Sequence, residues 1–146
     1  MKKKDIDFYM QCAYQSAERS YAKRKKVGSV IVTENNIMVP GYNGTLEGED
    51  NNCEDTVWNP LTESYDLITK PTVLHAEMNS LRWLARQGIS SKGAKLFVTL
   101  SPCVVCAQHM VSLGISGVYY GEKYRDNNGI DLLKKKGIHV EQVFIY

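Results

Sequence analysis

His75-Ala76-Glu77 and, about two dozen residues further on, Pro102-Cys103-Val104-Val105-Cys106 put one imidazole, two thiols and a further carboxylate into one short chain. An imidazole and two thiolates suit a tetrahedral zinc and leave its fourth position for water. A carboxylate that lies beside that water without ligating the metal can carry protons to and from it. The residue types therefore point to hydrolysis at a metal centre. Cys-x-x-Cys alone would equally suit a structural zinc or a redox dithiol; the order imidazole, carboxylate, proline, paired thiols is what selects catalysis. A closed structural zinc would need a fourth protein ligand. Of the other thiols, Cys12 falls at apolar spacing in a predicted helix and reads as a small core residue. Cys53 lies in an acidic loop with its role left open.

The elements that must position these groups follow from local patterns. Leu96 to Leu100 reads as a short apolar strand, followed by Ser101 as N-cap and Pro102 at the first helical position. Cys103 and Cys106 then share one face of the first turn, where the backbone N–H groups and the helix dipole favour thiolates. His75 and Glu77 are two apart and would point in nearly opposite directions along a helix. They can share a site only beyond a helix end, so the metal is expected between two helix N-termini. The helix starting near His75 runs to about Gln87, with Gly88 as its stop.

Elsewhere, Ile6, Met10, Ala13 and Ala17 give a first helix that ends before the basic run Lys23-Arg24-Lys25-Lys26. Val27 to Val32 and Ile37 to Gly41 form a hairpin around Glu34-Asn35-Asn36. After the helix at Pro102, closed by Gly114, come a strand over Gly117 to Tyr120, a helix from about Asn128 to Lys136 capped by Gly137, and a strand from Ile138 to Ile145. Helices separate the last three strands, so crossovers should make them parallel. Ligands in such sheets gather beyond the carboxyl ends of the strands, which brings the loop Gly121-Glu122-Lys123-Tyr124-Arg125 within reach of the cysteines. The segment from Thr45 to Thr72 reads as a long loop with Glu47, Glu49, Asp50, Glu54, Asp55, Glu63 and Asp66 beside Trp58, Pro60 and Tyr65. Its aromatics argue for partial order, and its carboxylates could hold Mg²⁺ with a phosphorylated ligand.

A chain of 146 residues reads as one domain, residues 1–146, with an insertion at about 45–72. Four cysteines, two of them committed to metal, make no disulfide framework and favour a reducing cytoplasm. Met1-Lys2-Lys3-Lys4-Asp5 is followed by no apolar stretch of the signal-peptide kind, and no run reaches membrane-spanning length, so a cytoplasmic protein without a membrane partner is expected. A formal net charge of +2 is too small for indiscriminate phosphate binding and argues against a nucleic-acid partner.

The pattern His-x-Glu…Pro-Cys-x-x-Cys is the signature of zinc nucleobase deaminases. With Val27 to Val32, Gly41-Tyr42-Asn43-Gly44-Thr45, His75-Ala76-Glu77-Met78-Asn79, Pro102 to Cys106 and Lys123-Tyr124, the chain resembles, over nearly its whole length, the deoxycytidylate (dCMP) deaminases of phages and eukaryotes, within the zinc-dependent cytidine deaminase superfamily. The zinc motifs are shared by the superfamily; Gly-Tyr-Asn-Gly-Thr with a long insertion after it points to the dCMP branch. Leu46 stands where that branch often has proline, and Ala22 where some phage members have a cysteine serving a second, structural zinc.

The resemblance implies a three-layer α/β/α sandwich around a five-stranded mixed sheet in the order 2-1-3-4-5. It implies deamination of dCMP to dUMP, with Zn²⁺ on His75, Cys103 and Cys106 and Glu77 as proton carrier. It implies that the backbone around Ala76 and Ser101 reads the pyrimidine, that Asn43 meets the sugar hydroxyl, and that Lys26, Tyr120, Lys123 and Tyr124 supply phosphate contacts. It further implies a homohexamer activated by dCTP and inhibited by dTTP, each with Mg²⁺, bound near Gly44, Thr45, Glu49 and Asn52. Two other functions compete. A deaminase of tRNA or other nucleic acid would favour a more basic surface and a further C-terminal helix, whereas this sequence ends on a predicted strand. A zinc-stabilised binding subunit without catalysis would have no use for Glu77.

Overall fold

The period-2 pattern of the apolar strands builds two cores, one on each face of a sheet. A computed structural model describes residues 1–145. In β1 (Gly28–Val32) Ile31 faces one side while Val30 and Val32 face the other; in β5 (Lys95–Leu100) Leu96 and Val98 oppose Phe97; in β6 (Gly117–Glu122) Val118 and Tyr120 oppose Tyr119. On the Phe97 side, α1 (Lys3–Ala17) covers the sheet with Ile6, Met10 and Ala13. On the Leu96 side, α2 (Ala76–Arg86), α3 (Val104–Ser112) and α4 (Asn128–Lys135) contribute Leu81, Leu84, Ala107, Met110, Ile130 and Leu133. The result is the expected three-layer α/β/α arrangement.

With β2 (Met38–Tyr42) and β7 (His139–Gln142), the sheet order is β2-β1-β5-β6-β7. Counting only the strands of this sheet, that is 2-1-3-4-5. β1 pairs antiparallel with β2 and β5, and the crossover strands β5, β6 and β7 run parallel. The last strand is shorter than the sequence reading. Its pairing with β6 ends at Gln142, after which one more bond joins the Val143 N–H to the Tyr120 carbonyl and Val143 turns into the α1 core.

Two further differences bear on the site. First, α3 begins at Val104 with Cys103 as its N-cap, not at Pro102 with Ser101 as cap. Ser101 stays extended because its N–H donates to the Glu122 carbonyl at 2.8 Å, carrying the β5–β6 pairing one residue past the strand. Secondly, the 45–72 segment contains a two-stranded hairpin, β3 (Glu54–Asn59) and β4 (Ser64–Thr69). Trp58 lies opposite Tyr65, their rings edge to face at 5.1 Å, and Asn59 Oδ1 accepts the Leu61 N–H to start the turn. Both strands are largely exposed, so the hydrophobic alternation that marks a half-buried strand is missing. Cys53, just before β3, is buried with Ala22 and Val73 and lies apart from the other cysteines.

Gly41 sets how closely β2 approaches the first turns of α2. A Cβ there would lie 2.6 Å from the Ser80 nitrogen and 2.7 Å from the Ala76 carbonyl oxygen, both backbone atoms that cannot yield without moving the helix. Gly41→Ala is therefore expected to destabilise the fold by about 1–3 kcal/mol, the usual cost of overpacking. Thermal unfolding of the zinc-loaded protein checks this, and an unchanged Tm would show that strand and helix separate freely.

Candidate active site

His75 and Cys103 are the N-caps of α2 and α3, both with extended backbone (φ −72°, ψ 152° and φ −71°, ψ 168°). The two helix N-termini converge beyond the carboxyl end of β5, and Cys106 comes in from the first turn of α3. His75 Nδ1 is 3.2 Å from Cys106 Sγ and 3.7 Å from Cys103 Sγ, and the three ligand atoms lie within 4.8 Å of one another. With zinc bonds of about 2.0–2.3 Å, neighbouring ligand atoms of a tetrahedron sit roughly 3.5 Å apart, so this donor set fits zinc in both chemistry and spacing. The Cys106 thiol and the His75 ring hydrogen-bond to Cys103 and hold its thiol down to about 3, a thiolate before any metal arrives. That same bond raises the Cys106 thiol, with burial adding to the effect. Metal loading must therefore displace the Cys106 proton.

Glu77, in the first turn of α2, is 4% exposed and stands outside the ligand triad. Burial pushes its carboxyl up to about 7, against the lowering effect of its own backbone hydrogen bond and of His75. A carboxyl poised there exchanges protons readily near neutral pH. His75, Glu77 and Cys103 open into a cavity of about 640 Å³, walled by Val27, Asn43, Ala76, Leu100 and Ser101. Its rim carries Arg24, Lys123 and Arg125 together with the ion pair of Lys25 and Glu122, and Ile68 and Thr69 of β4 close one side. The site is thus a pocket that joins two of the metal ligands and a proton carrier to a group of cations, with the third ligand, Cys106, buried within 4.8 Å of the other two.

The family model described as the cytidine and deoxycytidylate deaminase zinc-binding region matches residues 3–122. The chain belongs to the cytidine and deoxycytidylate deaminase family. Among relatives in this family, human deoxycytidylate deaminase is 36% identical over an alignment of 127 positions that covers 84% of this chain and 67% of the human protein. The deoxycytidylate deaminase of Enterobacteria phage T4 is 30% identical over a gapped alignment of 168 positions that covers 92% of this chain and 87% of the phage protein. The crystal structure of dCMP deaminase from the cyanophage S-TIM5 in complex with dCMP and dUMP superposes with a TM-score of 0.84 at 36% identity, covering 98% of this chain and 99% of that one.

Within this deaminase fold the structure brings together most, not all, of the residues singled out from sequence. Ala76, Ser101, Asn43, Lys123 and Tyr124 line the cavity with His75, Cys103 and Glu77. The Ser101 hydroxyl accepts the Tyr124 N–H at 2.6 Å and so ties the loop after β6 to the loop that carries Cys103. Asn43 is more engaged than expected: its Oδ1 accepts the Val27 N–H and its Nδ2 donates to the Lys25 carbonyl, both at 2.9 Å. Two of the expected phosphate contacts lie elsewhere. Tyr120 is packed into the core under α3 and α4, because alternation along β6 turns it inward. Lys26 borders a separate surface pocket with Tyr14, Gln15 and Glu18. Arg24, from the same basic run, faces the cavity instead, and Lys25 borders both. Of the expected effector residues, Gly44 and Thr45 line a second cavity of about 570 Å³ bounded by Arg19, Glu47, Arg82 and Trp83, whereas Glu49 and Asn52 lie outside its lining.

Gly129 of α4 is a positioning residue that the sequence reading missed. A Cβ there would lie 2.1 Å from the Pro102 carbonyl oxygen, so only glycine lets α4 close over the loop that presents Cys103. No sequence signal marks it, since a glycine at the start of a helix is ordinary.

Two outcomes are expected for this site. Metal analysis of the purified protein should find about one zinc per chain with a His-Cys-Cys triad, and Cys103→Ala should lose the metal along with turnover. Full zinc in that variant would refute the ligand set. Glu77→Gln should retain zinc yet lose turnover by about a hundredfold or more, the scale of general acid–base catalysis. Near-native turnover would remove Glu77 from the chemistry.

Proposed function

We propose that this chain catalyses the hydrolytic deamination of dCMP, taking water and giving dUMP and ammonia. One observation carries the reading: the cavity that joins His75 and Cys103 to Glu77 also carries a rim of Arg24, Lys123 and Arg125, beside a Lys25 paired with Glu122. An uncharged base or nucleoside has no use for such a rim, whereas a 5′-phosphate does. The likeness to an enzyme whose structure holds dCMP and dUMP supports the same substrate.

Zinc on His75, Cys103 and Cys106, when bound, supplies a Lewis acid that makes water nucleophilic near neutral pH. Glu77 takes a proton from the attacking water and delivers it to ring nitrogen 3, which leaves carbon 4 more electrophilic. It then takes the proton of the new carbon-4 hydroxyl and gives it to the amine, so that ammonia leaves as the carbon-4 carbonyl forms. A carboxyl held near 7 by burial can serve both directions of transfer. Backbone groups around Ala76 and Ser101 hold the pyrimidine edge, and Asn43 lies where it can meet the sugar while fastening the loop at Lys25 and Val27. Ala76 and Leu100 supply the dry wall that strengthens these polar contacts.

The same reading gives the product a place in thymidylate supply and gives the enzyme dCTP as activator and dTTP as inhibitor, each with Mg²⁺, in a cytoplasmic homohexamer of single-domain chains. The cavity beside Gly44 and Thr45 supports the regulatory part. It is lined by Arg19 and by the ion pair of Arg82 with Glu47, and it abuts the Gly41-Tyr42-Asn43 segment that leads into the catalytic pocket.

Ammonia release across dCMP, deoxycytidine, CMP and a short RNA hairpin tests the proposal. Two charge-assisted contacts to the phosphate should favour dCMP over deoxycytidine in kcat/KM by at least about a hundredfold, and the RNA should be inert. Equal kcat/KM for nucleotide and nucleoside would refute it.

A further inference from the structure

Residues 23–27 have no regular secondary structure, yet they carry the cations that face the catalytic cavity. Something must hold them. At the far end Asn43 bonds the Lys25 carbonyl and the Val27 N–H. At the near end the holder is Glu54, the first residue of the inserted hairpin. It is 4% exposed, and its Oε2 accepts the backbone N–H groups of Lys23 at 2.9 Å and Arg24 at 3.1 Å. Its Oε1 is buried without a hydrogen-bond partner. A buried carboxylate with an unbonded oxygen is costly, and the two N–H groups on Oε2 are the bonds that offset that cost. Thr69 lies opposite Glu54 in the hairpin register and accepts a hydrogen bond from the Arg24 guanidinium at 3.2 Å. The base of the hairpin thus grips Arg24 by backbone and side chain at once, and both Arg24 and Thr69 line the cavity.

We propose that Glu54 is the positioning residue for the phosphate of the substrate. By fixing the backbone at Lys23 and Arg24 it holds the Arg24 side chain at the cavity, next to a Lys25 that is paired with Glu122, and it makes the insertion a determinant of nucleotide over nucleoside. This rests on the reading of the site as one for a pyrimidine 5′-nucleotide. Glu54 touches neither substrate nor metal; it acts through Arg24.

The experiment is steady-state deamination of dCMP and of deoxycytidine by the zinc-loaded full chain. Glu54→Ala should raise KM for dCMP by about tenfold or more with kcat little changed, as expected when a binding contact is lost, while kcat/KM for deoxycytidine stays within about twofold of native. Glu54→Gln keeps an oxygen that can accept both N–H groups and should restore a near-native KM. In an Arg24→Ala background the Glu54→Ala change should add almost nothing, because residues acting through one contact are not additive. If Glu54→Ala is recovered without its zinc, Glu54→Asp replaces it: the charge stays, but the side chain is too short to reach both N–H groups, and the same selective rise in KM is expected. Equal losses on dCMP and deoxycytidine, or an undiminished effect in the Arg24→Ala background, would overturn the positioning role and leave the nucleotide reading standing. A native chain that does not prefer dCMP would overturn both.

Discussion

Everything at the site depends on two helix N-termini meeting beyond the carboxyl edge of one strand. Each end offers unbonded N–H groups and a partial positive charge, and each is capped by a prospective zinc ligand, His75 on α2 and Cys103 on α3. This field favours a thiolate at Cys103, which is held far below the ordinary thiol range by its bonds from Cys106 and His75. The same geometry solves the spacing problem of His75 and Glu77. With the imidazole on the cap and the carboxyl inside the first turn, residues only two apart reach one cavity. The sheet enforces the convergence: β5 delivers Cys103, and the loop from the parallel β6 is pinned against it by the Tyr124 N–H to Ser101 bond.

The cavity has two halves with different supports. The chemical half is built on α2, α3 and β5, elements buried in the larger core, and it can be rigid because packing makes it so. The cationic half comes from loops. One follows β6; the other, residues 23–27, is held by Asn43 and Glu54 rather than by secondary structure. Polar side chains that accept or donate to backbone take the place that a strand ladder fills elsewhere. Two carboxamide bonds and two carboxylate bonds thereby do for this loop what alternating Val and Ile do for β1.

What could be read from the sequence followed from how locally each signal is written. The parallel crossovers come from period and punctuation, the strand order from the family resemblance, and β1, β5 and β6 lie where their apolar runs put them. The inserted hairpin is not legible this way. Val57, Trp58, Tyr65 and Ile68 lie among carboxylates and stay exposed, so β3 and β4 carry no one-sided apolar face; cross-strand pairs such as Trp58 with Tyr65 hold them, and pairing partners are invisible in a single strand. The start of α3 shifted because a tertiary bond from Ser101 to Glu122 outranked a local helix-start signal. The choice among Lys23, Arg24, Lys25 and Lys26 was equally out of reach. Residue type is nearly the same at all four, and what aims Arg24 into the cavity is a carboxylate thirty residues away in sequence.

That last dependence separates reaction from substrate in this fold. The metal triad and Glu77 are fixed by core packing, and changing what surrounds them would threaten folding itself. The cationic rim hangs on a few polar contacts to an exposed hairpin, where substitutions are tolerated far better than in a close-packed core. Substrate preference can therefore change by altering an insertion that leaves the hydrolytic centre untouched. A buried carboxylate such as Glu54, costly where it stands and idle in the chemistry, makes physical sense only if its position in the loop network is worth that cost.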